Sequence, residues 1–254
     1  MINQAVTSGM MSGPPFIGCA GWTIPRQCAS CFPSSGSQLE RYARCFTAVE
    51  TNSSFYRPHR RTTYERWAAA VPGSFAFAVK APHEITHRLR LAGASAALDA
   101  FLTQATGLGD KLGPVLLQLP PSLAFDTQRV RSFFAALRRR FEGSVVCEPR
   151  HRDWYTSYAD DLMMEFRISR VAADPPIVGR VAEPGGWNGL LYFRLHGSPR
   201  VYYSEYGADQ LERLAHQLVP MSGPHPQAWC IFDNTASGAA TVNALALQAR
   251  LRGF

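Results

Sequence analysis

Lysine is almost missing from this sequence. Its 254 residues include 26 Lys and Arg, yet only Lys80 and Lys111 are lysines, so a formal charge of +7 rests on arginine. No Lys/Arg block of the kind that forms a nucleic-acid-binding arm or tail is present. The triplet RRR at 138–140 ends a helical pattern, where cations suit the helix dipole. Long apolar runs are missing too: none approaches the ~20 residues of a membrane span, so no membrane partner is expected. The opening stretch MINQAVTSGMMSGPP lacks the basic start and apolar run of a signal peptide, and a cytoplasmic location is expected.

Other absences narrow the chemistry. The six cysteines, Cys19, Cys28, Cys31, Cys45, Cys147 and Cys230, are scattered, which argues against a disulfide scaffold in a chain of this size. Cys28 and Cys31 have CxxC spacing, but no second Cys or His pair stands at zinc-site spacing and the βαβ context of a redox motif is missing. They read as loop cysteines. No GxGxxG follows the first apolar run, so there is no nucleotide-cofactor motif.

What is present is core material, with 46% hydrophobic residues. Strand-like runs at 16–20, 47–52, 75–80, 114–119, 144–148, 168–174, 190–196 and 228–233 alternate with helical patterns at 37–45, 61–70, 94–110, 127–140, 157–166, 208–219 and 237–251. Only the gap PPIVGRVAEPGGWNG reads as loop rather than helix. Eight strands alternating with helices in an α/β chain of this length predict a single (β/α)8 barrel, the TIM-barrel architecture, over 15–254. A flexible N-terminal segment is expected at 1–14. No linker divides the chain, and no internal repeat is visible.

Side chains alternate faces along a strand, so residues two apart share one. AVETN groups Ala48, Glu50 and Asn52; VVCEPR groups Val146, Glu148 and Arg150. YFRLH groups Tyr192, Arg194 and His196, with Phe193 and Leu195 turned toward the helices. Lys80 shares a face with Ala76 and Ala78, and Gln118 ends the fourth strand. The polar residues all stand at C-terminal strand ends, which converge on one mouth in a barrel, where the catalytic groups of this fold gather. Lys80 stands out because a desolvated lysine can lose its proton and arginine cannot; it reads as base, nucleophile or phosphate partner. Loops after the strands add Trp22, Phe55, Tyr56, His83, His87 and Trp154 as aromatic walls suited to a sugar, a nucleobase or another small polar molecule. Glu50, Glu148, Asp174, Asp233, His151 and His196 could assemble a divalent metal site. Without an HxH or HExxH pair, and with Lys80, Arg150 and Arg194 nearby to neutralise the carboxylates, metal is the less favoured reading and no metal ligand is assigned.

The strings GCAGW (18–22), VETNSSFYR (49–57), FAFAVKAPHEITH (75–87), KLGPVLLQLPPS (111–122), EPRHRDW (148–154), YFRLHG (192–197) and FDNTASGAATVNA (232–244) together resemble the YecE-like TIM-barrel family, domain of unknown function 72. The resemblance covers nearly the whole chain. It implies a TIM barrel of bacterial or archaeal type and supplies no activity. Its motif residues fall on Gly21, Trp22, Glu50, Asn52, Phe55, Tyr56, Lys80, His87, Gln118, Pro120 and Pro121, then Glu148, Arg150, His151, Trp154, Arg194, His196, Gly197 and Asn234. The chain departs from the family pattern in carrying Asp233 where an Asn is usual, which brings an extra negative charge to the mouth. It also departs at Pro149 and in the loop TIPRQCASCFPSSG.

The leading expectation is an enzyme with Glu50 or Glu148 as general acid/base, and with Lys80, Arg150 and Arg194 binding a small anionic or polyhydroxy substrate. His151 and His196 would carry protons, while Trp22, Asn52, Tyr56, His87, Gln118, Trp154, Asp233 and Asn234 would contact substrate. Hydrolase, isomerase and lyase chemistry all fit such residues. A nucleic-acid binding or processing protein is the alternative, from the charge and the aromatics. A non-catalytic binder of a small metabolite is the third reading. The residues do not fix an oligomeric state.

Overall fold

The computed structural model describes residues 14–179, 181–219 and 227–253. The expected flexible segment at 1–14 lies outside these residues except for Pro14. Strands β1 (Phe16–Ala20), β2 (Ala48–Thr51), β3 (Ala76–Lys80), β4 (Leu112–Gln118) and β5 (Val145–Glu148) pair in parallel, each with its predecessor. The predicted strand 168–174 is interrupted at Val171 into β6 (Ile168–Arg170), which pairs with β5, and β7 (Ala172–Asp174). A two-residue strand β8 (Gly185–Gly186), in the stretch read as loop, lies antiparallel to β6. Strands β9 (Leu190–Leu195) and β10 (Gln227–Phe232) then complete the ring, because β7 pairs with β9, β9 with β10 and β10 with β1. The Val171 amide donates to Cys147 O at 2.8 Å, so the ladder bridges the break. The result is the expected eight-position α/β barrel.

Helices α1 (Gln38–Ala43), α3 (Arg61–Ala69), α4 (Ser95–Ala105), α5 (Thr127–Arg138), α6 (Ser157–Glu165), α7 (Ala208–Leu218) and α8 (Ala239–Leu251) fall in the predicted segments, and a single turn α2 (Ser53–Tyr56) follows β2. Polar side chains fix several starts: Ser37 and Glu40 form a capping box at α1, Asp126 caps α5 and Thr156 caps α6. The expected helix 94–110 stops at Ala105 and tightens into a 3-10 stretch, because Gly109 turns with φ 56°. Arg138, first of the arginine triplet, donates to Phe141 O, Gly143 O, Phe166 O and Arg167 O, so it holds loops rather than a ligand. No helix among the described residues is long and apolar enough to cross a membrane.

Strand parity sorts the core into two shells. Odd-facing residues such as Ile17, Val49, Phe77, Val79, Leu117, Cys147, Phe193 and Leu195 pack outward against helices. Ala48, Ala78, Leu116, Val146, Ala173, Tyr192, Trp229 and Ile231 fill the interior. Phe16 stacks on Trp229 at 4.7 Å and Tyr192 stacks on Trp229 at 6.0 Å, plugging the N-terminal end with aromatic rings. The charged interior residues Glu50, Glu148 and Arg194 lie toward the opposite end.

Gly113 is the clearance for that plug: a Cβ there would sit 2.6 Å from the Trp229 ring. Gly113→Ala should cost about 2 kcal/mol of unfolding free energy by overpacking. Gly73→Ala, at an exposed turn with open space around it, should be near neutral. Urea titration of both variants checks this, and equal stabilities would contradict the packing.

Candidate functional site

The strand register sets the floor of the mouth. Ala20, Glu50 and Ala78 share one level, as do Gln118 and Glu148, and Ala173, Arg194 and Ile231. Arg194 lies at the centre, 1% exposed, and a buried guanidinium requires partners for its charge and its N–H groups. It has them. Nε and Nη2 grip Glu50 at 2.9 and 2.6 Å, Nη1 donates to Glu148 Oε2 at 2.5 Å, and Nη2 also donates to Asp233 Oδ2 at 3.0 Å. Tyr192 adds a hydroxyl bond to Glu50 at 2.8 Å, so its side chain joins the apolar plug to the polar floor.

His196 extends the network. Its Nε2 lies 2.8 Å from Glu148 Oε1 and 2.7 Å from Arg150 Nη2, while Arg150 also pairs with Glu148 at 2.5 Å. Nδ1 lies 3.0 Å from Asp233 Oδ2, close enough for an ion pair but without hydrogen-bond alignment. Burial pushes the Glu148 pKa up, but Arg194, Arg150 and His196 outweigh it and hold the carboxyl well below the usual range. The same contest at Asp233, between burial and the pull of Arg194 and His196, also leaves the carboxyl lowered. Glu148 and Asp233 are therefore fixed anions.

Lys80 is the exception in this network. It is 8% exposed, and among the described residues no carboxylate lies within ion-pairing distance of Nζ. Its ammonium instead stands over the Phe55 ring, 4.1 Å from the centroid. That placement is local in origin: the Ser54 hydroxyl lies 2.7 Å from Lys80 O and 3.0 Å from Thr51 O, tying α2 across the tops of β2 and β3. Desolvation and then the Arg194 charge lower the Lys80 pKa from 10.5 to about 8, despite the opposing pull of Glu50, Glu148 and Asp233. His87 stacks on His83 at 4.8 Å, beside Phe55, and burial together with His83, Lys80 and Arg90 lowers it to about 4.

Of the residues expected at the site, Glu50, Glu148, Arg150, Arg194, His196 and Asp233 form one bonded cluster, with Lys80 beside it. Asn52 and Asn234 each carry a buried Oδ1 with no protein donor, at the ends of β2 and β10. Gln118 is half-buried and donates to Leu119 O. Other expectations need correction. Trp154 is wholly buried in the outer shell, with its indole N–H on Leu123 O, so its ring cannot line the mouth. His151 caps a 3-10 turn, its Nδ1 accepting from the Asp153 amide and lying 3.5 Å from the Asp153 carboxylate. Trp22, half-buried, packs edge-on against Trp67 of α3, and Tyr56, 82% exposed, lies edge-on to Phe55; neither contact overturns its expected role. Glu50 has both oxygens hydrogen-bonded, by Arg194 and Tyr192. Asp174 accepts from Tyr206, away from the carboxylates that surround Arg194. Among the described residues no group of three or more His, Cys, Asp or Glu is placed to hold a metal. The described cysteines are free thiols, with Cys28 and Cys31 on a 3-10 turn after β1.

Sequence reasoning missed Phe55 as the partner of Lys80, Tyr192 as the second support of Glu50, and Tyr202. Tyr192 had a signal, sharing strand parity with Arg194. Tyr202 follows β9 with φ 70° and lies edge-on to His196 at 5.9 Å, a strained backbone that no local pattern announces. A cavity of about 380 Å³, lined by Tyr155, Asp160, Arg170, Val171 and Ala173 among others, includes none of the clustered residues.

Comparison with known proteins bears on this site. The family described as "Protein of unknown function DUF72" matches residues 16–253. UPF0759 protein YunF of Bacillus subtilis is 28% identical over 260 residues, covering 90% of this chain and 91% of that protein. UPF0759 protein YecE of Escherichia coli is 31% identical over 105 residues, 41% of this chain and 37% of that protein. The crystal structure of a DUF72 family protein from Enterococcus faecalis superposes with a TM-score of 0.78 at 22% identity, covering 93% of this chain and 95% of that one. At that identity the likeness establishes the fold.

A lysine whose pKa is lower in the folded than in the unfolded chain destabilises the fold at neutral pH, and the penalty fades as pH rises from about 8 to 10.5. Lys80→Met should therefore be more stable than wild type at pH 7 by about 2 kcal/mol, once the lost contact with Phe55 is deducted. The advantage should shrink steadily toward pH 10.5. Denaturant unfolding at a series of pH values measures the difference, and a constant or reversed difference would show that Lys80 is not desolvated.

Proposed function

The chain belongs to the DUF72 family, whose description assigns no activity, and from that premise we propose that the barrel mouth is the active site of an enzyme acting on a small anionic or polyhydroxy molecule. The observation that carries this reading is Lys80: a buried cation left without an anion beside a network in which every neighbouring carboxylate is already committed. Burying such a charge costs stability, and groups held at that cost cluster where chemistry is done. An anionic or hydroxyl-rich ligand would supply the missing partner.

The roles follow from the bonding. Arg194, held by Glu50, Glu148 and Asp233, with Tyr192 bonded to Glu50, is the rigid floor. Arg150, half-buried at the rim, offers a second cation to the ligand. Asn52 and Asn234 offer unpartnered amide oxygens to substrate hydroxyls. Lys80 is the group whose pKa suits proton exchange near neutral pH, in place of the carboxylates, since Glu148 is held too acidic to keep a proton there. His196, between two carboxylates and Arg150, is the proton relay. The nucleic-acid reading loses one of its stacking platforms, because Trp154 is internal.

A thermal-shift screen with sugar phosphates, sugar acids, nucleotides and short single-stranded oligonucleotides tests the proposal, using wild type, Glu148→Gln and Lys80→Met. A true ligand at a hundredfold excess over its Kd stabilises by ~2.7 kcal/mol. The expected result is a shift with a small anionic or polyhydroxy compound that both variants lose, followed by turnover of that compound by wild type. Stabilisation without turnover would make the protein a binder of that molecule. A response only to oligonucleotides that collapses with added salt would contradict the small-substrate reading.

A further inference from the structure

The function proposed above leaves open what bond the site makes. We propose that Lys80 is a nucleophile that forms a covalent imine with an aldehyde or ketone substrate, so that the ligand class narrows to hydroxylated or anionic carbonyl compounds. This rests on the mouth being the substrate site.

Three observations converge on it. The amine stands at the C-terminal end of β3, where the barrel opens, and it is sheltered by the Phe55 ring rather than tied to a carboxylate. An ion-paired lysine keeps its proton and its lone pair is unavailable; Lys80 has no such pair among the described residues. Second, both conditions that make a lysine nucleophilic, an apolar cover and a neighbouring cation, are met by Phe55 and Arg194, and desolvation together with the Arg194 charge lowers the Lys80 pKa to about 8. Third, Lys111 supplies a contrast within the chain. Its ammonium donates to Ala68 O and Val71 O and secures α3 to the 3-10 stretch before β4.

The step balances without a further reactant. The Lys80 lone pair attacks the carbonyl carbon, the C=O π pair moves to oxygen, and the proton shed by nitrogen ends on that oxygen as a carbinolamine. With one proton taken from solvent at the mouth, the hydroxyl leaves as water and a protonated imine remains. Nothing is oxidised or reduced. The cationic imine withdraws electrons from the adjacent carbon, the requirement for lyase or isomerase chemistry next to a carbonyl. The fixed anions Glu148 and Asp233 lie within electrostatic reach of the positive nitrogen.

Two lysines make the test direct. Wild-type protein is treated at pH 7.5 with formaldehyde and sodium cyanoborohydride, and methylation is mapped by peptide mass spectrometry. Formaldehyde needs no recognition, so it reports the amine alone. Lys80 should be methylated at least ~10-fold faster than Lys111, whose ammonium is engaged by Ala68 O and Val71 O while the Lys80 amine stands over the Phe55 ring. The treatment is repeated with dihydroxyacetone, glyoxylate and pyruvate in place of formaldehyde. An adduct on the Lys80 peptide, with none on the Lys111 or N-terminal peptides, identifies a substrate-class imine. Lys80→Arg keeps a cation in place and should lose the adduct while remaining folded. Labelling of Lys80 no faster than Lys111 would overturn the proposal. If these compounds raise the melting temperature but leave no adduct, the mouth binds carbonyl compounds and covalent catalysis is refuted while the binding site survives. Absence of both adduct and melting shift for these compounds, with a shift for non-carbonyl sugar acids, would overturn the imine and leave the function proposed above standing.

Discussion

One buried arginine organises this barrel. Arg194 is removed from water at the level where the strands of an ordinary barrel end in solvent, and a guanidinium can occupy that position only if anions surround it. Glu50 and Glu148 come from strands far apart in sequence, and Asp233 from the end of β10, so the ion cluster links distant parts of the chain. Removing Arg194 would leave Glu50, Glu148 and Asp233 as neighbouring anions in the interior. The aromatic plug below sets how deep the cluster can sit, because Trp229 and Tyr192 fill the space beneath it.

The same interaction defines the electrostatics of the mouth. By committing Glu50, Glu148 and Asp233, Arg194 deprives Lys80 of a counterion and repels it as well. The two cations are thus unequal by construction. One is permanently charged and fully bonded; the other is unpaired and near the point of losing its proton. A carboxylate held strongly acidic is a poor proton carrier, so the proposed function gives acid–base or nucleophilic work to Lys80 in place of Glu148. Asp233, where an Asn is usual in the family pattern noted above, strengthens this division by adding a third anion to Arg194 and His196.

Much of this was legible in the sequence. The period-two alternation in AVETN, VVCEPR and YFRLH gave the inward face correctly, because a strand buried on both sides leaves no freedom of parity. Those patterns brought Glu50, Glu148, Arg150, Arg194 and His196 to one place. What failed was reasoning about loops. Trp154 follows a strand directly, as ligand-binding residues do, but a 3-10 turn directs the indole into the outer core. The partnering within the cluster was also beyond the sequence. That Glu50 grips Arg194 with both oxygens, and that Lys80 is left over, depends on the distances at which strands meet across the barrel.

The central claim is that the mouth holds an unpaired, desolvated lysine beside a saturated arginine. Its most direct test is the titration of Lys80 itself. With only two lysines in the chain, reductive 13C-methylation gives side-chain resonances that Lys80→Arg assigns at once, and their chemical shifts can be followed from pH 6 to 11. The account predicts a Lys80 midpoint near 8. A midpoint at the ordinary value near 10.5 would mean that the ammonium is solvated or ion-paired, and the mouth would lose the feature on which its chemistry is argued.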